Sequence, residues 1–385
     1  MNVAVICEYN PFHQGHAYQI EEIRRHCGRD VTVISIMGGV FSQRGEPYFL
    51  TPYARAEAAL RCGSDLVVEL PFPYSCARAR SFARAGVDIA VRLGADALAF
   101  GSECGDLAAL ENIKDALDSP AVADEVKRRS ADRTMSKSKL YCAALQKVCG
   151  LTLDDAAPND ILAVEYLRAI DAAEKKLTPL VFRRVGDYKK ESGGFASATH
   201  LRTRYAAGGL PALAGSLPPA SFAVCTREAG AGRIAPDMER IAPAILLSLQ
   251  SRTVFPNDGG LTAHLAKTAV GKKRLSDLFA AAKTKRYTDA ELRRAALFAF
   301  FDLAPAAAEV PPAYTKLLAA NARGRALLRT AQIEVLTKPG DAEKLSRTAL
   351  LQYRAATAAE RAFALCFEGD YDFTRQSPYI EKEAP

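Results

Sequence analysis

The first 105 residues alternate short apolar runs with segments of helical spacing, and this alternation constrains the fold most. Residues 3–7, 31–37, 65–70 and 96–101 are the runs, and residues 180–185 resume the same character. Between them, residues 15–27, 53–62 and 81–93 carry the three- and four-residue spacing of helices. Thr51 and Pro52 supply an N-cap and a first-turn proline for the second of these. Strands of about five residues that are apolar throughout, rather than alternating, belong to a parallel sheet covered on both faces. The expected fold class is α/β: a Rossmann-like parallel sheet, then a mostly α-helical C-terminal domain.

Further along, residues 120–158 read as a helical insertion and residues 159–173 as a helix. Residues 207–219, rich in Gly, Ala and Pro, read as a linker. The expected domains are therefore 1–207, with the insertion at 120–158, and 220–385. In the second, Thr288 and Glu291 form a capping box. Residues 313–330 and 357–366 read as further helices, and the chain after Gln376 as loosely ordered.

Hydrophobic residues make up 49% of the 385 and charged residues 25%, so a sizeable core can be buried. No apolar run approaches the roughly 18 residues that would span a bilayer. The N-terminus leads almost directly into a strand, without a basic region, so no membrane association and a cytoplasmic location are expected. The nine cysteines have no Cys-x-x-Cys spacing, which argues against a zinc knuckle or a disulfide framework. The net charge of +7 is compatible with a polyanionic partner without requiring one.

The strongest local signal is Cys7-Glu8-Tyr9-Asn10-Pro11-Phe12-His13-Gln14-Gly15-His16, between the first strand and the first helix. In an open parallel sheet, ligands bind beyond the carboxyl ends of the strands. A helix starting there points N–H groups and a positive dipole end at an anion. His13 and His16 can donate hydrogen bonds to phosphate oxygens, or carry positive charge if protonated. Gly15 removes a side chain that could keep the backbone from a phosphate. Fixed donors at this point lower the barrier to transfer at the α-phosphate. A metal site is the other reading, but it needs a third ligand, and Glu8 is the only nearby candidate.

This stretch resembles the His-Ile-Gly-His signature of the nucleotidylyltransferase and class I aminoacyl-tRNA synthetase superfamily. Phe41-Ser42-Gln43-Arg44-Gly45-Glu46-Pro47, Arg55-Ala56-Glu57, Asp65-Leu66-Val67-Val68-Glu69-Leu70-Pro71, Phe100-Gly101-Ser102-Glu103 and Pro158-Asn159-Asp160-Ile161-Leu162 follow in order. As an ordered set they resemble the tRNA(Met) cytidine acetate ligase family. The likeness implies an enzyme that activates acetate with ATP and acetylates N4 of the wobble cytidine of elongator tRNA(Met). ATP, acetate, tRNA and Mg²⁺ are then the expected ligands, and no protein partner is evident.

The resemblance implies that ATP is wrapped by Cys7, Glu8, Tyr9, Asn10, Pro11, Phe12, His13, Gln14, Gly15, His16, Ala17, Tyr18, Gln19 and Ile20. It adds Gly101, Asn159, Arg184 and Val185, with Arg183 as the alternative to Arg184. Ser197-Ala198-Thr199-His200-Leu201-Arg202 resembles the Ser-x-x-x-Ile-Arg motif of related enzymes, which implies that Ser197, Thr199 and Arg202 hold the β- and γ-phosphates. His13, His16 and Arg202 are the implied catalytic residues.

Thr134-Met135-Ser136-Lys137-Ser138 looks like a synthetase Lys-Met-Ser-Lys-Ser loop, but it precedes the fifth strand and reads as a decoy. Arg44 is a candidate for a carboxylate or a tRNA phosphate. Asp65 and Glu69 read as structural. Basic clusters at Lys272–Arg274, Lys283–Arg286, Arg293–Arg294 and Arg323–Arg329 could track a phosphate backbone, or be solvated helix faces. Two rival functions remain: a small-molecule adenylyltransferase, and a non-catalytic ATP- and RNA-binding protein.

Overall fold

The computed structural model describes residues 1–130, 135–154, 157–184, 195–251, 255 and 258–381. Five strands form where the apolar runs predict them: Asn2–Cys7 (β1), Thr32–Gly38 (β2), Leu66–Leu70 (β3), Ala97–Ser102 (β4) and Thr178–Arg183 (β5). They lie in the order β5-β4-β1-β2-β3, and each adjacent pair is parallel. In β1 to β4 the runs are largely apolar because successive side chains leave opposite faces and both faces are covered, whereas β5, at the edge of the sheet, is half-buried. In β1, Ala4 and Ile6 enter one core while Val3, Val5 and Cys7 enter the other.

Helices Gln14–Cys27 (α1) and Pro52–Arg61 (α2) pack on one face of the sheet, and Ala79–Arg92 (α3) on the other. Thr51 caps α2 as expected, accepting from the Ala54 N–H. Leu107–Leu117 (α4), Pro120–Arg129 (α5), Lys137–Cys149 (α6) and Pro158–Ala172 (α7) follow β4. After β5, Ala198–Gly208 (α8) and Pro219–Gly230 (α9) join the face of α1. The chain runs from β1 outward to β3, then restarts at β4 on the other side of β1. The crevice between β1 and β4 is thus the topological switch point.

Residues 207–219 are not a loose linker. Leu213 and Leu217 are buried, the Ser216 carbonyl accepts from the Gln14 N–H at 3.2 Å, and Ser221 donates to the Phe12 carbonyl at 2.7 Å. The segment therefore clamps the loop after β1.

Ala242–Ser251 (α10), Leu261–Ala269 (α11), Leu275–Ala282 (α12) and Asp289–Phe300 (α13) are helical, and the Thr288–Glu291 capping box is present. The helix expected over residues 313–330 is not. Tyr314–Ala320 is a fully buried strand (β6), antiparallel to β3, and only Ala322–Leu327 (α14) is helical. The sheet is therefore mixed. Glu334–Leu336 (β7) pairs with β6, and Arg347–Ala364 (α15) follows. Tyr379–Ile380 (β8) also pairs with β6, so the chain just after Gln376 is ordered by the sheet.

The strand is disguised by Lys316, a charge in the middle of a buried segment. Its ammonium lies 3.3 Å from Glu69 and bonds Glu360. Burial alone would lower its pKa, but the Glu360 and Glu69 carboxylates outweigh this and raise it. Glu69 thus has the structural role expected for it. So does Asp65, which accepts from Arg24, the Val33 N–H and Asn321. Among the described residues no helix is long and apolar enough to cross a membrane.

Candidate active site

His13 is the N-cap of α1. Its Nδ1 accepts from the Gly15 N–H at 3.0 Å, while the His13 N–H donates to Nδ1 of His16 at 3.2 Å. This is a capping box built from two imidazoles. The rings stack with centroids 3.8 Å apart. A nitrogen that accepts an N–H carries no proton, so each neutral ring holds its proton on Nε2. Burial lowers the His13 pKa to about 3, assisted by the Arg184 charge. His16 is lowered by burial, by His13 and by Arg184. Both rings are therefore neutral Nε2–H donors near neutral pH rather than cations.

A fixed loop holds the pair. Tyr9 has φ 44°, its ring meets His16 edge-on, and its hydroxyl bonds Ser35. Asn10 accepts from the Phe49 N–H at 2.7 Å. Buried Arg55 donates to the carbonyls of Glu8, Gly38, Gly39 and Leu50. Gly15 also has a structural reason to lack a side chain. A Cβ there would lie 2.9 Å from Cε1 of His13, so the glycine makes room for the capping ring.

The histidines border a cleft, open to solvent, at the β1/β4 switch point. Of the residues singled out from the sequence, His13, Gly15, His16, Tyr18, Gln19, Gly101, Arg184 and Ser197 line it, and so does Arg183. Cys7, Tyr9, Asn10, Pro11, Phe12 and Ile20 are instead buried beneath it as scaffold. Ala17 packs against the core, and Gln14 bonds Ser216. Glu8 accepts through Oε1 from the Gln43 N–H and the Tyr48 hydroxyl. Val185 lies outside the described residues, as does Thr134 of the Lys-Met-Ser-Lys-Ser-like stretch.

Asn159 stands at the cleft through its partners. Its Oδ1 accepts from Arg184 at 3.4 Å, and its Nδ2 donates to Glu103. Glu103 also accepts from the Asp160 N–H at 2.8 Å, and Asp160 accepts from the Glu103 N–H at 2.8 Å. This reciprocal clasp ties the end of β4 to the start of α7. Arg184 is the arginine beside Asn159, and its Cγ lies 3.1 Å from where a Gly101 Cβ would be. Arg183 instead packs on Gly105. Glu103, Phe182, Phe195 and Ala196 also line the cleft and were not singled out. Glu103 was visible as the last residue of the Phe-Gly-Ser-Glu motif; the others carry no polar signature.

Ser197 caps α8, accepting from the His200 N–H at 3.2 Å. One turn on, Arg202 donates to the Asn10 carbonyl at 3.0 Å and lies 3.7 Å from Glu46. Thr199 accepts from Arg44 at 3.3 Å. The first turn of α8 thus links the histidine loop to the loop after β2.

The family model described as HIGH Nucleotidyl Transferase matches residues 1–376. The tRNA(Met) cytidine acetate ligase of Syntrophotalea carbinolica is 35% identical, over 86% of this chain and 82% of its own. That of Caldicellulosiruptor saccharolyticus is 33% identical, over 86% and 85%. Among solved structures, apo Thermotoga maritima TmcAL superposes with a TM-score of 0.88 at 25% identity, over 98% of this chain and 99% of its own. The same protein bound with alpha-thio ATP gives 0.87 over the same shares. On the whole-length family match and on relatives above 30% identity, the chain belongs to the tRNA(Met) cytidine acetate ligase family of HIGH nucleotidyl transferases.

Proposed function

We propose that this protein is an ATP-dependent ligase that acetylates N4 of the wobble cytidine of elongator tRNA(Met). The observation that carries the reading is the stacked pair of neutral imidazoles at the β1/β4 switch point, on a chain whose relatives are named for this activity. A relative of the same fold binds an ATP analogue.

ATP lies in the cleft, with Gly101, Asn159 and Arg184 at the adenosine end. His13 and His16 donate Nε2–H bonds to the phosphates, and Thr199 and Arg202 hold the β- and γ-phosphates. An acetate oxygen attacks the α-phosphorus. The bond to the bridging oxygen breaks, pyrophosphate leaves, and acetyladenylate remains. The histidine donors are already in place where charge builds, so they cost no reorganisation. The cytidine N4 then attacks the acetyl carbon, the carbon–oxygen bond to phosphate breaks, AMP leaves and N4 loses one proton. N4 is a weak nucleophile, so holding it against the mixed anhydride supplies much of the rate.

No group of three His, Cys, Asp or Glu side chains suited to a metal ion occurs among the described residues. An ion carried on the phosphates would neutralise their charge. The helices of residues 219–300 form the proposed tRNA-contacting part, and the cytoplasm is the proposed location.

The test is ATP-dependent transfer of labelled acetate to elongator tRNA(Met), against a transcript with uridine at the wobble position. Label on the cytidine transcript alone is expected. Label on both, or pyrophosphate release without any labelled tRNA, would contradict the reading.

A further inference from the structure

A carboxylate in the wall of a cleft that takes a polyphosphate works against binding unless its charge is offset. Glu103 is such a group. Its Oε1 accepts from Nδ2 of Asn159 at 2.5 Å and from the Asn159 N–H at 3.4 Å, and its Oε2 accepts from the Asp160 N–H at 2.8 Å. Pro158, the first residue of α7, has no N–H, so Asn159 and Asp160 are the first donors of that helix. The carboxylate therefore sits on the positive end of α7. A phosphate that came to this end would find both N–H groups taken. The clasp closes from the other side, where Asp160 accepts from the Ser102 hydroxyl and from the Glu103 and Cys104 N–H groups.

The same carboxylate fixes the amide of Asn159. A carboxylate only accepts, so the amide must turn its NH2 group toward it. The amide carbonyl then faces the other way, and its Oδ1 accepts from Arg184 at 3.4 Å. Were the amide reversed, its NH2 would confront a guanidinium, which only donates. Arg184 is also anchored through its own N–H, which donates to the Ser102 carbonyl at 3.0 Å. Its charge reaches the histidine pair and helps to lower both pKa values. Glu103 and Arg184 both stand in the wall of the cleft, with the Asn159 amide between them.

We propose that Glu103 is a positioning residue for the nucleotide. By orienting Asn159 it holds the Arg184 guanidinium at the cleft. By occupying the α7 N-terminus it makes this the adenosine end and leaves the triphosphate to the histidine end. The assignment rests on the ATP reading above.

The experiment swaps the two side-chain types: Glu103→Gln, Asn159→Asp and the double variant. ATP affinity is measured by calorimetry, and ATP–pyrophosphate exchange with ATP and acetate varied in turn. In Glu103→Gln an NH2 faces the Asn159 NH2 or the Asp160 N–H; in Asn159→Asp two carboxylates face each other. Each single variant should weaken ATP binding about tenfold or more, with the acetate KM near the wild-type value. In the double variant the new amide donates to the new carboxylate, which still accepts from Arg184, so ATP affinity should return to within about threefold of wild type. Should a single variant fail to fold, the double variant decides alone. Unchanged ATP affinity in Glu103→Gln, or an acetate KM that rises as much as that for ATP, would overturn the assignment. So would a double variant that does not fold, or whose loss is the product of the two single losses, as independent structural damage would give. Acetate-independent exchange in the wild type would overturn the acetate reading but not this one, which the ATP affinities decide. Wild-type protein that binds no ATP would overturn both.

Discussion

Because Nδ1 of His13 and Nδ1 of His16 each accept a backbone N–H, both rings serve as fixed neutral donors. Two consequences are measurable. His13 in the fold titrates at about 3, below its ordinary value of 6.5. As pH falls through 6.5 the unfolded chain takes up a proton that the folded chain refuses. This site's contribution to stability is therefore full above 6.5 and is lost progressively from 6.5 down toward 3. For activity, the adenylation rate should show no histidine limb between about pH 6 and pH 8. A limb near 6.5 that vanishes in His16→Asn would contradict the neutral-donor account. At this scale the sequence was legible in residue type and place. His-x-Gly-His after an apolar strand pointed to the correct edge of the sheet. Spacing could not tell which neighbours line the cleft: Tyr18 and Gln19 do, whereas Tyr9 and Phe12 turn into the core.

Among the elements, β1 to β4 were legible because burial on both faces leaves a largely apolar run, and β5, a half-buried edge strand, was legible from its Leu180-Val181-Phe182 centre. β6 was not. Its Tyr-Thr-Lys-Leu-Leu-Ala-Ala segment mixes a charge with alanines and leucines, which reads as one side of a helix. The deciding contacts are with Glu69 and Glu360, 247 and 44 residues away along the chain, and no local pattern encodes them. Gly324, inside the expected helix, lets α14 sit against Asp65, whose carbonyl a Cβ would strike. Lys316→Met should cost about 3–5 kcal/mol in urea unfolding, because two buried carboxylates lose their partner. A loss under ~1 kcal/mol would mean that the cluster is not holding β6 to β3.

Across the whole molecule, the basic clusters separate by position. Arg293 and Arg294 are engaged with the loop after β2. Arg323 pairs with Asp30, which precedes β2, so it sits at the sheet edge opposite the cleft. On the helical part, Lys272–Arg274 and Lys283–Arg286 lie at or near the surface and are the groups best suited to phosphates. Replacing Lys272 and Lys273 with Gln should weaken tRNA binding across sequences and flatten its salt dependence by up to about 0.9 per lost phosphate contact, with ATP–pyrophosphate exchange unchanged. Equal salt slopes for variant and wild type would remove this face from the RNA path. Charge runs alone could not make this division, since a solvated face and a bound one look alike in sequence.

The central claim is that the histidine pair at the β1/β4 switch point adenylates a small acid. ATP–pyrophosphate exchange with and without acetate, on wild type and His16→Ala, tests it most directly. The account predicts exchange that requires acetate and is lost in the variant, with ATP binding weakened but the fold intact. Exchange indifferent to acetate, or undiminished in His16→Ala, would contradict it.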